Sequence, residues 1–387
     1  MAVRLSATSL EFTCLLEPAG TYAKCMQLIF PGLRSCSIVS PGEVLAYLAG
    51  MMDGDGYFKV TKEYRTPGTV HPYYRTTIGV QQLWPGEAVR LFAATFGTKV
   101  MKPWVLPSRR IIARCEFYGR RAEAAARRLL PYLLVKKNQA LLLLEVGRLR
   151  QETYKRSREC YDGLEAIRGT VLSLHDGSWL NSGAPLPVSA SLRGYERLGP
   201  AELGWTQGEI FAYLAGVMDS DGSFRVEKRQ VRGMLGPHYR ICIRCAQVVP
   251  SPAVEFLAQT FGGRLGVKKS RRPNCRDLVT WSLHDRAAVP AIEALLPHLV
   301  VKRAEAYLLL DLRRLKAEGK KGMTEWEHPN RWRASVRMRK RCYTTDQVAQ
   351  FERIHRAVQA LHAGGVPDAG FRPGPTQAAS RVNDLRD

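Results

Sequence analysis

The sequence predicts an α+β fold built twice over, and three observations carry that expectation. The chain contains an internal duplication: VLAYLAGMMDGDGYFKV at 44–60 reads again as IFAYLAGVMDSDGSFRV at 210–226. A second pair follows at the same displacement of 166, with LLPYLLVKKNQALLLLEV at 129–146 matching LLPHLVVKRAEAYLLLDL at 295–312. Within each copy the hydrophobic period changes from helical to alternating and back, which gives helices on a small antiparallel sheet. Two long copies cannot form a stacked solenoid and instead suggest a pseudo-two-fold unit, the single-chain equivalent of a homodimer.

The first element, Glu43 to Met52, carries apolar residues at helical spacing and is expected to end in an Asp-Gly-Asp-Gly turn. Phe58 and Val60 alternate with Lys59 and Thr61 as a half-buried strand. Tyr74, Thr76, Ile78 and Val80 alternate with Arg75, Thr77, Gly79 and Gln81 as a second. Residues 86–96 read as helix, 110–118 as strand, and 119–150 as helix interrupted at Pro131. Each half is therefore ordered helix, two strands, helix, two strands, helices. In the second half Tyr239, Ile241 and Ile243 are expected to face the core, with Arg240, Cys242 and Arg244 outward. The divisions are an N-terminal extension at 1–40, a first half-domain at 41–176, a linker at 177–204, a second half-domain at 205–364, and a tail at 365–387. The linker is rich in Gly, Pro and Ser and, extended, spans ~90 Å at about 3.3 Å per residue.

Composition narrows the partners. The 387 residues hold 58 Lys and Arg against 35 Asp and Glu, a formal charge of +23. Such an excess repels itself unless a polyanion meets it, so nucleic acid is the first partner to expect. No apolar run reaches the ~18 residues of a membrane span. Nine cysteines are scattered without the spacing of a secreted disulfide scaffold, which suits a reducing interior. Cys242 and Cys245 form a C-x-x-C with no second pair nearby, short of the four ligands of a structural zinc site. The first 40 residues lack a secretory core; they are basic and contain serine, as transit segments do, but Glu11 and Glu17 argue against that. An intracellular location is expected, open between a bacterial cytoplasm and an organelle.

The repeated helix has a stripe without bulk. Ala46 and Gly50 are four apart on one face, as are Ala212 and Gly216. Mid-helix glycine costs roughly 1 kcal/mol against alanine, so its recurrence predicts close backbone contact between the two copies. A symmetric crossing would bring Asp53 and Asp55 toward Asp219 and Asp221 at two helix C-termini, where partial negative charge adds to the repulsion. Such a cluster is stable only if protonated or neutralised by cations. Mg²⁺, two ions or more, is the expected occupant beside a phosphate backbone, where it could activate water for phosphodiester hydrolysis.

At these residues the sequence resembles a known family. LAGMMDGDG (48–56) and LAGVMDSDG (214–222) are similar to the paired signature helices of double-motif, monomeric LAGLIDADG homing endonucleases. The resemblance covers about residues 43–150 and 208–315 and weakens beyond. It implies two αββαββα half-domains joined through the motif helices, with sheets forming a saddle over a long, asymmetric DNA site. It also implies metal-dependent cleavage of both strands with short 3′ overhangs, in the service of intron mobility. Carried over by position, Asp55 and Asp221 are the catalytic metal ligands, and Gly54 and Ser220 add backbone carbonyls. Asp53 and Asp219 take a more structural part. Gln82 and Gln247 match the family's polar residue after the second strand, and Lys136 and Lys302 its lysine near the scissile phosphate.

For DNA contacts the basic residues of the outward faces are the candidates. These are Lys59, Arg75, Lys102, Arg109, Arg110 and Arg114 in the first half. In the second they are Arg225, Arg240, Arg244, Lys268, Lys269, Arg271 and Arg272. Strands can present such side chains to the major groove, although most basic residues hold phosphate. The basic segment Arg331–Arg341 has no counterpart of equal length in the first half. Two other functions fit the architecture: an intron RNA maturase, and a DNA-binding protein that does not cut. Both intact acidic motifs favour cleavage. The absence of a Cys/Ser start and His-Asn end around the domain argues against an intein-borne enzyme.

Overall fold

A computed structural model describes residues 40–64, 71–107, 110–152, 158–176, 185–189, 192, 199–230, 237–270, 276–318, 323–325, 339–341 and 344–364. The first half runs α1 (Pro41–Asp55), β1 (Gly56–Glu63), β2 (Tyr73–Leu83), α2 (Glu87–Thr95), β3 (Trp104–Val105), β4 (Ile111–Tyr118), α3 (Arg120–Leu129), α4 (Lys137–Glu152) and α5 (Arg158–Asp176). The second runs α6 (Gln207–Asp221), β5 (Gly222–Arg229), β6 (His238–Val248), α7 (Pro252–Phe261), β7 (Arg264–Lys268), β8 (Leu278–His284), α8 (Ala288–Leu295) and α9 (Arg303–Glu318). A short ribbon, β9 (Met323–Glu325) with β10 (Arg339–Arg341), and α10 (Thr345–His362) complete it.

Each half carries a four-stranded sheet, in the orders β1-β2-β4-β3 and β5-β6-β8-β7. In the first sheet Gly56 lies opposite Val80 and Thr77 opposite Tyr118, all pairings antiparallel. The predicted alternation sets its faces. Phe58, Val60, Tyr74, Ile78, Val80, Ala113, Cys115 and Phe117 are buried, whereas Lys59 is exposed. This is the α+β architecture expected from the sequence, with matching elements in matching order.

By packing, the chain forms two compact units. One takes the described residues through Gly222 with Cys245–Trp281 and Glu293–Val301. The other takes those of Ser223–Arg244, Ser282–Ile292 and from Lys302 onward. Both motif helices belong to the first unit. Leu186 and Val188, within the expected linker, are buried there.

Two local expectations are corrected. The Asp-Gly-Asp-Gly stretch is not a turn: α1 continues through Gly54 to Asp55, and the chain passes straight into β1 at Gly56. Cys242 is covered, at 4% exposure, although the alternation puts it on the face of Arg240 and Arg244.

The duplication reaches further than the sequence suggested. In α5, Glu165 accepts from the Tyr74 hydroxyl at 2.5 Å and pairs with Lys62 at 3.1 Å, while the His175 ring bonds the Phe58 carbonyl at 3.0 Å. In α10, Glu352 takes the equivalent Tyr239 hydroxyl and pairs with Lys228 at 2.8 Å, and His362 bonds the Phe224 backbone. Ile167 and Val171 are buried in α5 as Ile354 and Val358 are in α10. These helices are one element repeated. Glu165 matches Glu352 at a displacement of 187 because the basic segment lies between α9 and α10.

Candidate active site at the paired helix ends

Capping boxes start both motif helices. Ser40 accepts from the Glu43 N–H and Thr206 from the Glu209 N–H, and each glutamate returns a bond to the cap backbone. The helices then cross with backbones in contact. A Cβ on Gly50 would collide with the Tyr213 carbonyl, and one on Gly216 with the Tyr47 carbonyl. Ala46, Ala49, Ala212 and Ala215 are wholly buried around the crossing. The small-residue stripe therefore does what its spacing predicted, and a methyl at either glycine would force the helices apart.

The crossing positions two aspartates for structure. Asp53 accepts backbone N–H bonds from Leu134 (2.8 Å), Val135 (3.0 Å) and Lys136 (2.8 Å), and the Tyr213 hydroxyl at 2.7 Å. Asp219 accepts from Val300 (2.8 Å) and Val301 (3.0 Å), and from the Tyr47 hydroxyl at 2.8 Å. Each carboxylate thus ties its own half's Pro-aromatic-Leu loop to a tyrosine of the other motif helix. Burial pushes Asp53 above the usual carboxylate range, and the three N–H groups and the Tyr213 hydroxyl oppose that shift. Tyr47 and Tyr213 were not singled out from sequence; an aromatic inside an apolar helix reads as core, and only the crossing shows its hydroxyl's partner.

The second aspartate of each pair is presented differently. Asp55 and Asp221 are half-buried, and each accepts a side-chain amide from the strand behind it. Gln82 Nε2 lies 3.2 Å from Asp55 Oδ2, and Gln247 Nε2 lies 2.7 Å from Asp221 Oδ2. The carbonyl ends of the two glutamines differ. Gln247 Oε1 accepts the hydroxyl of Ser251, whereas Gln82 Oε1 is buried without a hydrogen-bond partner among the described residues. The two helix ends abut closely: a Cβ on Gly54 would collide with the Ser220 side chain and approach Asp221 Oδ2 to 2.9 Å.

Lys136 reaches beneath the end of α1. Its ammonium donates to the carbonyls of Met52 (2.9 Å), Gly54 (2.7 Å) and Gly56 (2.7 Å), of which Gly54 lies in the last helical turn, whose carbonyls lack intrahelical partners. Burial lowers its pKa, and the charges of Asp53, Asp221 and Asp55 oppose the lowering. Its position beside all three acids follows from these contacts. The matched Lys302 stands before α9 as Lys136 stands before α4. The carbonyl of each accepts the N–H four residues on, from Ala140 and Ala306, but Lys302 belongs to the second compact unit. Ser220 turns its hydroxyl back onto the Gly216 and Val217 carbonyls, both at 3.0 Å.

Whether the site suits divalent ions is decided by its donors. Two carboxylates at abutting helix ends, an orphaned amide oxygen on Gln82 and main-chain carbonyls are hard oxygen ligands of the kind Mg²⁺ or Ca²⁺ takes. The residues fit.

The basic residues proposed for DNA contact divide into two groups. Lys59, Lys102, Arg110, Arg225, Arg244, Lys268 and Lys269 are exposed. Arg75, Arg114 and Arg240 are half-buried and paired, with Glu63, Glu116 and Glu227 respectively. Arg109, Arg271 and Arg272 lie outside the described residues, as do the extension before Ser40, the tail from 365, and all of the basic segment except Arg339–Arg341. No helix among the described residues is long and apolar enough to cross a membrane.

Neither a protein-family model nor a curated protein matches the chain by sequence. Solved structures match it by fold. The I-LtrWI LAGLIDADG homing endonuclease bound to target DNA aligns at a TM-score of 0.56 and 13% identity, over 81% of this chain and 97% of the other. I-SmaMI, bound to an uncleaved DNA target in the presence of calcium ions, aligns at 0.54 and 14%, over 81% and 98%. The LAGLIDADG meganuclease I-AabMI, bound to uncleaved DNA, aligns at 0.52 and 14%, over the same shares. The chain therefore has the fold of the double-motif LAGLIDADG homing endonucleases, as its two signature helices predicted.

Proposed function

We propose that this chain is a site-specific DNA endonuclease that cuts both strands at one centre formed by the ends of α1 and α6. The observation that carries the reading is the division of labour within each Asp-x-Asp. Asp53 and Asp219 are consumed by backbone N–H groups and a tyrosine, while Asp55 and Asp221, at abutting helix ends, each accept a glutamine side-chain amide. The fold's DNA-bound neighbours and the +23 charge support DNA as the partner, with a single chain as the working unit.

Divalent ions bound by Asp55 and Asp221, by the Ser220 carbonyl and by the lone pair of the Gly54 carbonyl that Lys136 does not take, would supply a nucleophile at neutral pH and charge stabilisation for the phosphate. The chain's own groups do the positioning. Gln82 and Gln247 orient the two carboxylates. The Gln82 carbonyl oxygen is buried and unsatisfied among the described residues, an acceptor left over for a group bound there. Lys136 ties down the carbonyl end of α1 and brings its amine beside the acids, whose charges oppose the lowering of its pKa by burial.

The test is to incubate the protein with DNA spanning its own gene's insertion site, joined without the insert, with and without Mg²⁺. Cleavage with short 3′ overhangs is expected, lost with Asp55→Asn or Asp221→Asn while specific binding persists. Undiminished Mg²⁺-dependent cutting by either variant would overturn the assignment.

A further inference from the structure

The outer face of the second sheet holds a cluster with no part in the proposed centre. Glu227 on β5, Cys242 on β6 and His284 on β8 bring a carboxylate oxygen, a thiol sulfur and an imidazole nitrogen within 4.8 Å of one another. The three strands are neighbours in the sheet order, so the side chains share one face at successive rungs. A tetrahedral ion with bonds of about 2.0–2.3 Å separates its ligand atoms by about 3.3–3.8 Å, so small rotations would close the set.

From these groups we infer a zinc site, with Glu227, Cys242 and His284 as its protein ligands and a fourth position open to solvent. The ligand types select the ion: thiolate, imidazole and carboxylate together favour Zn²⁺ over the hard ions expected at the helix ends. Among the described residues His284 Nδ1 is buried without a hydrogen-bond partner, an orphaned ring nitrogen of the kind a metal satisfies. Arg240 and Arg229 both bond Glu227 through Oε2, at 2.7 Å each, which orients the carboxylate from behind.

Binding zinc would displace the Cys242 thiol proton to solvent as the sulfur–metal bond forms. The comparison with the first half shows that this is no generic feature of the sheet. At the matching places stand Thr61, Thr77 and Tyr118, which offer only hydroxyls. The C-x-x-C of the sequence is a false lead for the same reason, since residues three apart on a strand point to opposite faces.

Cobalt(II), a spectroscopic stand-in for zinc, tests this on the full chain stripped with chelator. One equivalent should produce a thiolate-to-cobalt charge-transfer band that zinc then bleaches, and zinc should raise the thermal midpoint. Cys242→Thr and His284→Tyr, which copy the first half, keep the sheet's own side-chain types. Cys242→Thr should lose the band; His284→Tyr should weaken cobalt affinity by at least about tenfold, the scale on which even an outer partner of a ligand counts. A folded wild-type protein with no band, or a band of full strength in Cys242→Thr, overturns the site. Should Cys242→Thr not fold, unchanged affinity in His284→Tyr overturns it equally.

Discussion

The two acidic centres share a motif but not a setting. On the α6 side the chain of bonds is closed: Asp221 takes the Gln247 amide at 2.7 Å, and the Gln247 carbonyl takes the Ser251 hydroxyl, itself fixed as the cap of α7. On the α1 side it is open, with a longer 3.2 Å contact from Gln82 to Asp55 and an amide oxygen that has no partner among the described residues. The cause is one residue. Gly86 caps α2, where Ser251 caps α7, and glycine has no hydroxyl to give. A buried orphaned acceptor costs about 1–3 kcal/mol, so the α1 side carries a local cost that a group bound there could relieve.

The largest effect should leave the comparison intact. Asp55→Asn and Asp221→Asn should each reduce double-strand cleavage by at least about 10³-fold, roughly 4 kcal/mol of barrier, in a plasmid linearisation assay. If only one did, the two acids would not share one task.

The glutamines should separate the halves. Gln247→Ala strands the Ser251 hydroxyl and opens a buried space, so it should lower stability by about 1–3 kcal/mol in denaturant titration. Gln82→Ala removes an unsatisfied oxygen and should cost less than half of that, while slowing single-turnover cleavage by about 10-fold or more. Equal losses of stability would erase the distinction. Ser251→Ala should then make the α6 side resemble the α1 side, at about 0.5–2 kcal/mol for the lost helix cap.

The smallest effect concerns the clamps on α5 and α10. Arg168 and Tyr74 hold Glu165 down to about 2, and Lys228 and Tyr239 hold Glu352 down to about 2. A depressed folded pKa gives stability that is full above the ordinary glutamate value and lost as pH falls toward 2. Glu165→Gln and Glu352→Gln should therefore each flatten the acid limb of a thermal-midpoint profile and leave its slope near neutrality unchanged.

Much of this was legible in the sequence. The duplication, the strand alternation and the Ala/Gly stripe all express a local period, and a period survives without coordinates. The second aspartates and the glutamines are singled out only through the family resemblance, and in the structure each glutamine amide reaches its aspartate. What escaped depends on contacts between distant segments. Tyr213 meets Asp53 across the helix crossing, and nothing near either residue announces it. The equivalence of α5 and α10 was hidden because the displacement changes after α9. Alternation puts Cys242 on the face of Arg240 and Arg244, but it cannot foresee that the residue is buried there.

The clamp helices bear on the ancestry of the gene. Since Glu165 with Tyr74 and Lys62 recurs as Glu352 with Tyr239 and Lys228, the segment that was copied ran from the motif helix through the clamp helix. The length difference between the α4–α5 and α9–α10 connections therefore arose after the copying event. A gene carrying a single copy would already have encoded a half closed at its far end, able to pair with its own product through the glycine crossing.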